Sequence, residues 1–220
     1  MGKLNGKPLP EQEKPEIIYV FDALCGWCYG FSPVMEKLYE EFTPVADFLV
    51  LSGGLVRQED ARPVREMAEF ITHASKIIED TAGVKFGRKF MEETLHRNDV
   101  IFSSVPPASA LAVFRLEQPA SAVSFASRLQ KAIYYDGIRV DDISCYGSIA
   151  QEYGLDPKEF VSRMTSEEIF QIVSNEFGMV QGMGVKGFPS LIIRKGSHME
   201  VVARGYKDYN SLWKTMKDLL

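Results

Sequence analysis

"FDALCGWCYG", residues 21–30, is the stretch on which the reading of this chain turns. It holds two of the three cysteines in 220 residues, Cys25 and Cys28, with Trp27 and Tyr29 beside them. Before it, "EIIYVF" at 16–21 is a nearly continuous apolar run rich in β-branched and aromatic residues, the pattern of a strand buried on both faces. After it, Phe31, Met35, Leu38 and Phe42 fall at i, i+4, i+7 and i+11, one helical stripe. Pro33 sits near the start of that helix or kinks it. The first cysteine therefore closes a strand and opens a helix.

That position has chemical consequences. A helix N-terminus offers unpaired N–H groups and a partial positive charge, and both favour a thiolate over a thiol at Cys25. Cys28 lies one turn further on, so its sulfur reaches the first without backbone movement. The spacing suits one exchange cycle: Cys25 attacks a disulfide, a mixed disulfide forms, and Cys28 resolves it. A CxxC at the end of a buried strand favours redox chemistry over zinc, which wants four ligands. The other candidates, Cys145, His73, His96 and His198, form no second close pair, so no metal is expected. An inert buried pair is the remaining alternative.

Outward from the pair, "VADFLVL" at 45–51 reads as a second strand closed by Gly53-Gly54, giving strand, helix, strand. At the other end, "FPSLIIR" is a strand opened by Pro189, "KGSH" a turn and "MEVVARG" a returning strand. A last helix puts Leu212, Met216, Leu219 and Leu220 on one face. Between the ends, from about 57 to about 182, the chain reads as almost wholly helical. "ARPVREMAEFITHASKIIEDTAG" ends on a capping glycine, "VPPASALAVFRLEQ" opens on prolines, and "DPKEFVSRM" has Asp156 as N-cap with Pro157 behind it. Without this block the order is β-α-β-α-β-β-α, a four-stranded mixed sheet with helices on both faces. The expected division is a leader at 1–15, a sheet domain of 16–56 and 183–220, and a helical insertion at 57–182. The helix before 183 stands on the boundary.

Composition narrows the function classes. With 45% hydrophobic and 25% charged residues the chain is ordinarily globular, and at net charge −5 without a basic cluster it has no footprint for nucleic acid or anionic membrane. No apolar run approaches the roughly eighteen residues that span a bilayer. The opening "MGKLNGKPLPEQEKPE" has no apolar h-region, and Gly6 stands where a myristoylation motif wants Ser or Thr. A cytoplasmic protein is expected, its leader flexible.

"GVKGFPS", residues 184–190, supplies the second half of the site. A proline at the first position of a strand removes no ladder bond. If the Phe188–Pro189 bond is cis, it turns the chain sharply and leaves backbone free to pair with an extended substrate. A trans proline that simply starts a strand fits the residues equally.

The two motifs together carry a family resemblance. "DALCGWCYG" resembles the D-x-x-C-x-W-C-Y element of DsbA-like thioredoxin-fold proteins, in the branch of FrnE-like proteins and 2-hydroxychromene-2-carboxylate isomerases, and "GVKGFPS" resembles their G-V-x-G-x-P-[ST] loop. The resemblance runs from Glu16 nearly to the end. It implies an α/β thioredoxin fold with an inserted all-helical domain, Cys25 as nucleophile, Cys28 as resolving thiol, and a cis Pro189 facing them. Asp22 matches the family's acid, a turn-capping carboxylate or a proton-transfer group. Trp27 matches an aromatic near the pair. Phe188 and Gly26 complete the candidate site. "SSVPPASALAVF" lies where the isomerase branch has a loop near its substrate, a match too loose to name catalytic residues.

Two departures shape the expectation. The isomerase and kappa glutathione-transferase branches commonly carry serine where this chain has Cys25, so cysteine favours disulfide chemistry. The Gly26-Trp27 dipeptide lacks the histidine of strongly oxidising DsbA proteins, which removes a cationic stabiliser of the thiolate and points to an intermediate potential. The leading reading is a thiol–disulfide oxidoreductase acting on protein or small-molecule disulfides and dithiols, its helical block a lid over the pair. It needs no cofactor beyond that pair, with glutathione as a possible co-substrate. The alternatives are a glutathione-dependent isomerase or transferase, and a non-catalytic peptide-binding module. Cys145, read as mid-helix, is a small core residue or a regulatory disulfide partner. His73 and His96 are surface or satisfied helix residues.

Overall fold

The strand β1 (Glu16–Phe21) is the middle of the molecule, and its residues from Ile17 onward are buried. A computed structural model describes residues 14–220; residues 1–13, most of the expected leader, lie outside the described residues. Alternate side chains of β1 enter two cores. Ile17, Tyr19 and Phe21 belong to the larger one, and Ile18 and Val20 to a smaller one on the opposite face. A strand with apolar residues at every position is what a sheet covered on both faces requires.

β1 leads into α1 (Gly26–Phe42), whose buried stripe includes Phe31, Met35, Leu38 and Phe42, as the spacing predicts. Pro33 is inside this helix and exposed. β2 (Asp47–Ser52) then pairs parallel with β1. The four-stranded sheet is completed far down the chain by β5 (Ser190–Lys195) and β6 (His198–Arg204), in the order β2-β1-β5-β6. β5 runs antiparallel to β1, and β6 antiparallel to β5 with an irregularity at Leu191/Ile192. α9 (Tyr209–Leu219) closes the chain and buries Leu212 and Met216.

The intervening block carries α2 (Ala68–Ala82), α3 (Arg88–Glu92), α4 (Val105–Glu117), α5 (Ala122–Tyr134), α6 (Ser144–Gln151), α7 (Pro157–Met164) and α8 (Glu167–Gly182). Its caps follow the local grammar. Gly83 closes α2 at φ 73°, Asp156 accepts from the N–H groups of Lys158 and Glu159, and Ser166 opens α8. Two details differ from a wholly helical reading. Arg62–Pro63 (β3) and Ile101–Phe102 (β4) form a short antiparallel pair, and α2 begins only at Ala68. Pro63 holds its own stretch extended, and the next N–H, of Val64, goes to the carbonyl of Val100 rather than into a helix. Cys145 is in the first turn of α6 and half-buried, not mid-helix in the core.

α8 covers the second face of the sheet, where Val180 joins Ile18, Val20, Leu51 and Ile192. It also guards β2, which is an edge strand. Glu176 accepts from the N–H of Ser52 at 2.6 Å, and Arg115 of α4 both donates to the carbonyl of Val50 and pairs with Glu176. The buried ion pair thus occupies backbone groups that an open edge would leave available.

Candidate functional site

Cys25 is the N-cap residue of α1, with extended backbone at φ −89° and ψ 110°. Its sulfur accepts the N–H of Cys28 at 3.3 Å. The same Sγ lies 3.5 Å from the carbonyl oxygen of Phe188, to which the thiol donates. Loop 184–190 is thereby brought against the pair from 163 residues away. The Phe188–Pro189 bond is cis.

The two thiols have unequal surroundings. Cys25 is 8% exposed and lies in the wall of a groove, whereas Cys28 is 0% exposed. Burial pushes the Cys28 thiol well above its ordinary range, and Cys25 beside it adds to the rise. Both cysteines are free thiols. Among the described residues, no three His, Cys, Asp or Glu side chains gather as a metal-binding group.

Asp22, 1% exposed, ties the turn together. One carboxylate oxygen accepts from the N–H of Leu24 at 2.9 Å and from the Ser104 hydroxyl at 2.9 Å; the other accepts from the N–H of Leu55 at 2.8 Å. Its backbone carbonyl accepts from the N–H of Cys25 at 3.1 Å. Burial raises its carboxyl above the usual range, and hydrogen bonds from Leu55, Leu24, Ser104 and Gly54 work the other way. In this geometry Asp22 caps a turn and links it to the loop after β2 and to the start of α4. Gln130 of α5 is fully buried against the same turn. With its side-chain oxygen toward the N–H of Tyr29 (3.0 Å) and its nitrogen toward the carbonyl of Cys28 (3.3 Å), both ends are matched, an orientation assigned from the bonding pattern.

The other expected residues divide. Gly26 packs beneath α2: a Cβ there would stand 3.0 Å from Ile78 Cδ1, and one at Gly30 would stand 2.9 Å from Ile78 Cγ2. The two glycines, one turn apart, let α2 approach the start of α1. Trp27 is half-buried, its ring 5.9 Å from that of Tyr206. The Phe188 ring rests on Gly53, where a Cβ would meet Phe188 Cζ at 2.0 Å. Phe188 thus presents its carbonyl to Cys25.

Beside Cys25 opens a groove of about 510 Å³. Leu24, Cys25 and Trp27 form one side, and Phe70, Ile71 and Ile78 of α2 the other. Phe70 is 69% exposed at its mouth. A second cavity of similar volume, about 510 Å³, lies behind α1 among Ser32, Glu36, Arg128 and Lys131; neither cysteine lines it, so the chemistry belongs to the first. Sequence reasoning missed Gly53, Ser104 and Gln130, all of which reach the site through long-range contacts. For Ser104 a faint signal existed, because "SSVPPASALAVF" lies where the resembling isomerase branch has a loop near its substrate, although no residue of it was singled out.

The fold and the paired cysteines define a class, and comparison with known proteins agrees with it. The profile of the DSBA-like thioredoxin domain matches residues 16–215. The chain belongs to this family, and its class of activity is that of a DsbA-like thiol–disulfide oxidoreductase. A curated relative, the ClpXP adapter protein SpxH of Halalkalibacterium halodurans, is 25% identical over 218 residues, 96% of this chain and 69% of its own. Among solved structures, a putative protein disulfide isomerase from Nitrosomonas europaea superposes with a TM-score of 0.82 at 24% identity, covering 94% of this chain and 97% of that one. The cytosolic disulfide reductase DsbM from Pseudomonas aeruginosa superposes with a TM-score of 0.78 at 21% identity, covering 93% and 98%. DsbM has also been solved with GSH. At these identities the structural likeness concerns the fold.

Proposed function

We propose that the protein exchanges disulfides through Cys25 and Cys28, with Cys25 as nucleophile and Cys28 as resolving thiol. One observation carries the assignment: the Cys25 sulfur caps α1 in the wall of an open groove, while Cys28 is sealed beneath it. The Cys25 thiolate attacks one sulfur of a substrate disulfide. A Cys25–substrate bond forms, the substrate S–S bond breaks, and the second substrate sulfur leaves with the electron pair. Cys28, on losing its proton, attacks the Cys25 sulfur and releases the substrate as a dithiol; the protein is left oxidised. Phe188 and Pro189 border the attacking sulfur, Trp27 the groove, and Asp22 and Gly26 support the turn. Residues 57–182 act as an inserted helical unit that walls the groove.

Substrates are protein or small-molecule disulfides, and glutathione serves as co-substrate that resets the pair. No further cofactor is required by this cycle. The reading places the protein in the cytoplasm, a choice supported by the name of its structural neighbour DsbM, a cytosolic disulfide reductase. Within the described residues no helix is long and apolar enough to cross a membrane.

Turnover tests the proposal. The protein is expected to accelerate reduction of a protein disulfide by glutathione, with the activity abolished in Cys25→Ser. A second reading, a peptide-binding module whose thiols regulate it, is favoured by the 25% likeness to an adapter protein. Peptide binding without any turnover would replace the first reading by the second.

A further inference from the structure

Tyr134 is the last residue of α5, and it is 2% exposed. Its ring is fixed by three aromatic neighbours: Tyr29 stacks on it at 5.4 Å, and Phe86 and Phe90 meet it edge-on at 5.3 and 5.1 Å. Although buried, Tyr134 belongs to the wall of the groove that holds Cys25. Of the other buried tyrosines, Tyr29 donates to the carbonyl of Lys85 at 2.7 Å and Tyr146 to that of Val140 at 2.8 Å, whereas Tyr19 has an unpartnered hydroxyl but does not line the groove. Among the described residues, the hydrogen bonds of Tyr134 involve its backbone, such as its carbonyl accepting from Gly87. Much of the nearby wall is apolar, with Leu24, Ile78 and Phe86. A hydroxyl in such a wall serves a polar atom brought in by a ligand.

Given the disulfide exchange proposed above, on which this step rests, we infer that the Tyr134 hydroxyl is a catalytic hydrogen-bond donor to the departing sulfur of the substrate. As the Cys25–substrate bond forms and the substrate S–S bond breaks, the electron pair moves to the departing sulfur. Tyr134 donates to that sulfur while its charge grows, keeps its own proton throughout, and yields the thiolate to solvent for protonation. The electrostatics suit a donor that stays protonated: burial first, then the charge that Cys25, Asp22 and Cys28 carry when ionised, hold the phenol proton well beyond the ordinary tyrosine range. Help of this kind matters most where the leaving thiolate is basic and least where its charge is already delocalised.

Tyr134→Phe keeps the ring and its three aromatic contacts and removes only the hydroxyl. Rates of attack by reduced protein are compared for two substrates, glutathione disulfide with a basic leaving thiolate and a nitrobenzoate disulfide with a delocalised one. The variant is expected to lose about tenfold or more with glutathione disulfide and less than about threefold with the aromatic disulfide, the size of one hydrogen bond to a charged group. Equal losses with both substrates would make Tyr134 a packing residue, and unchanged rates would remove it from the mechanism. A wild-type protein that reduces neither substrate removes the exchange reading itself, whereas an active wild type with an unaltered ratio in the variant overturns the Tyr134 assignment alone.

Discussion

Cys25 and Cys28 are three residues apart and differ in almost every physical respect. The first caps a helix, accepts an N–H and lies in a groove wall; the second has no exposed surface, and burial keeps its thiol protonated. Cys145 is half-buried, and burial raises its thiol too. Brief alkylation of the reduced protein near neutral pH, mapped by mass, is therefore expected to label Cys25 at least about tenfold faster than the other two. Equal rates would remove the division of roles. The pair was legible in the sequence because four adjacent letters contain it. Asp22 was legible as either a turn-capping carboxylate or a proton-transfer group, and its bonds from the N–H groups of Leu24 and Leu55 are those of a turn cap. Gln130 and Tyr134 were not legible, since they reach the pair from α5, more than a hundred residues on, through contacts that leave no local pattern.

Elements bring the remote parts of the site together. α1 and α2 approach closely because Gly26 and Gly30 present no side chain to Ile78. The loop after β2 supplies Gly53, the seat of the Phe188 ring, and two residues on the N–H of Leu55 that holds Asp22. Gly53→Ala would set a methyl group 2.0 Å from Phe188 Cζ, so the ring has to leave its seat and the Phe188 carbonyl shifts from Cys25. The variant is expected to lose about 1–3 kcal/mol of stability, as overpacked sites do, and to exchange disulfides more slowly. An unaltered denaturation midpoint and rate would show that the ring is not needed there. At this scale the sequence was most readable where period and caps agree, as in α1, α7 and the β5–β6 hairpin. It was least readable at β3 and β4, two-residue strands too short for any period to register.

For the whole molecule, one core runs from the sheet into the helical block, and much of its bulk is aromatic. Tyr19, Tyr134 and Tyr146 are almost wholly buried, and burial holds their phenols well above the ordinary range; Tyr29 is pushed up to about 12. A raised phenol stabilises the fold while protonated, so its contribution is intact below the unfolded tyrosine value near 10 and is lost as pH climbs through the folded value. For Tyr29 the window is about pH 10 to 12. An alkaline titration followed by phenolate absorbance is expected to show the exposed tyrosines ionising first and the buried four only as the thermal midpoint collapses. A single transition of all nine tyrosines in folded protein would contradict this. The order of strands and helices was foreseen from pattern, whereas the continuity of this core across the inserted block depends on packing between segments distant in sequence.

The central claim is that Cys25 attacks and Cys28 resolves. It is tested most directly by exposing Cys28→Ser and Cys25→Ser proteins to the same disulfide-bearing protein substrate and separating the products on non-reducing gels. Cys28→Ser should accumulate a mixed disulfide through Cys25 that reductant dissolves, because the resolving thiol is gone, and Cys25→Ser should accumulate none. Equal trapping by both variants, or trapping by Cys25→Ser alone, would contradict the account.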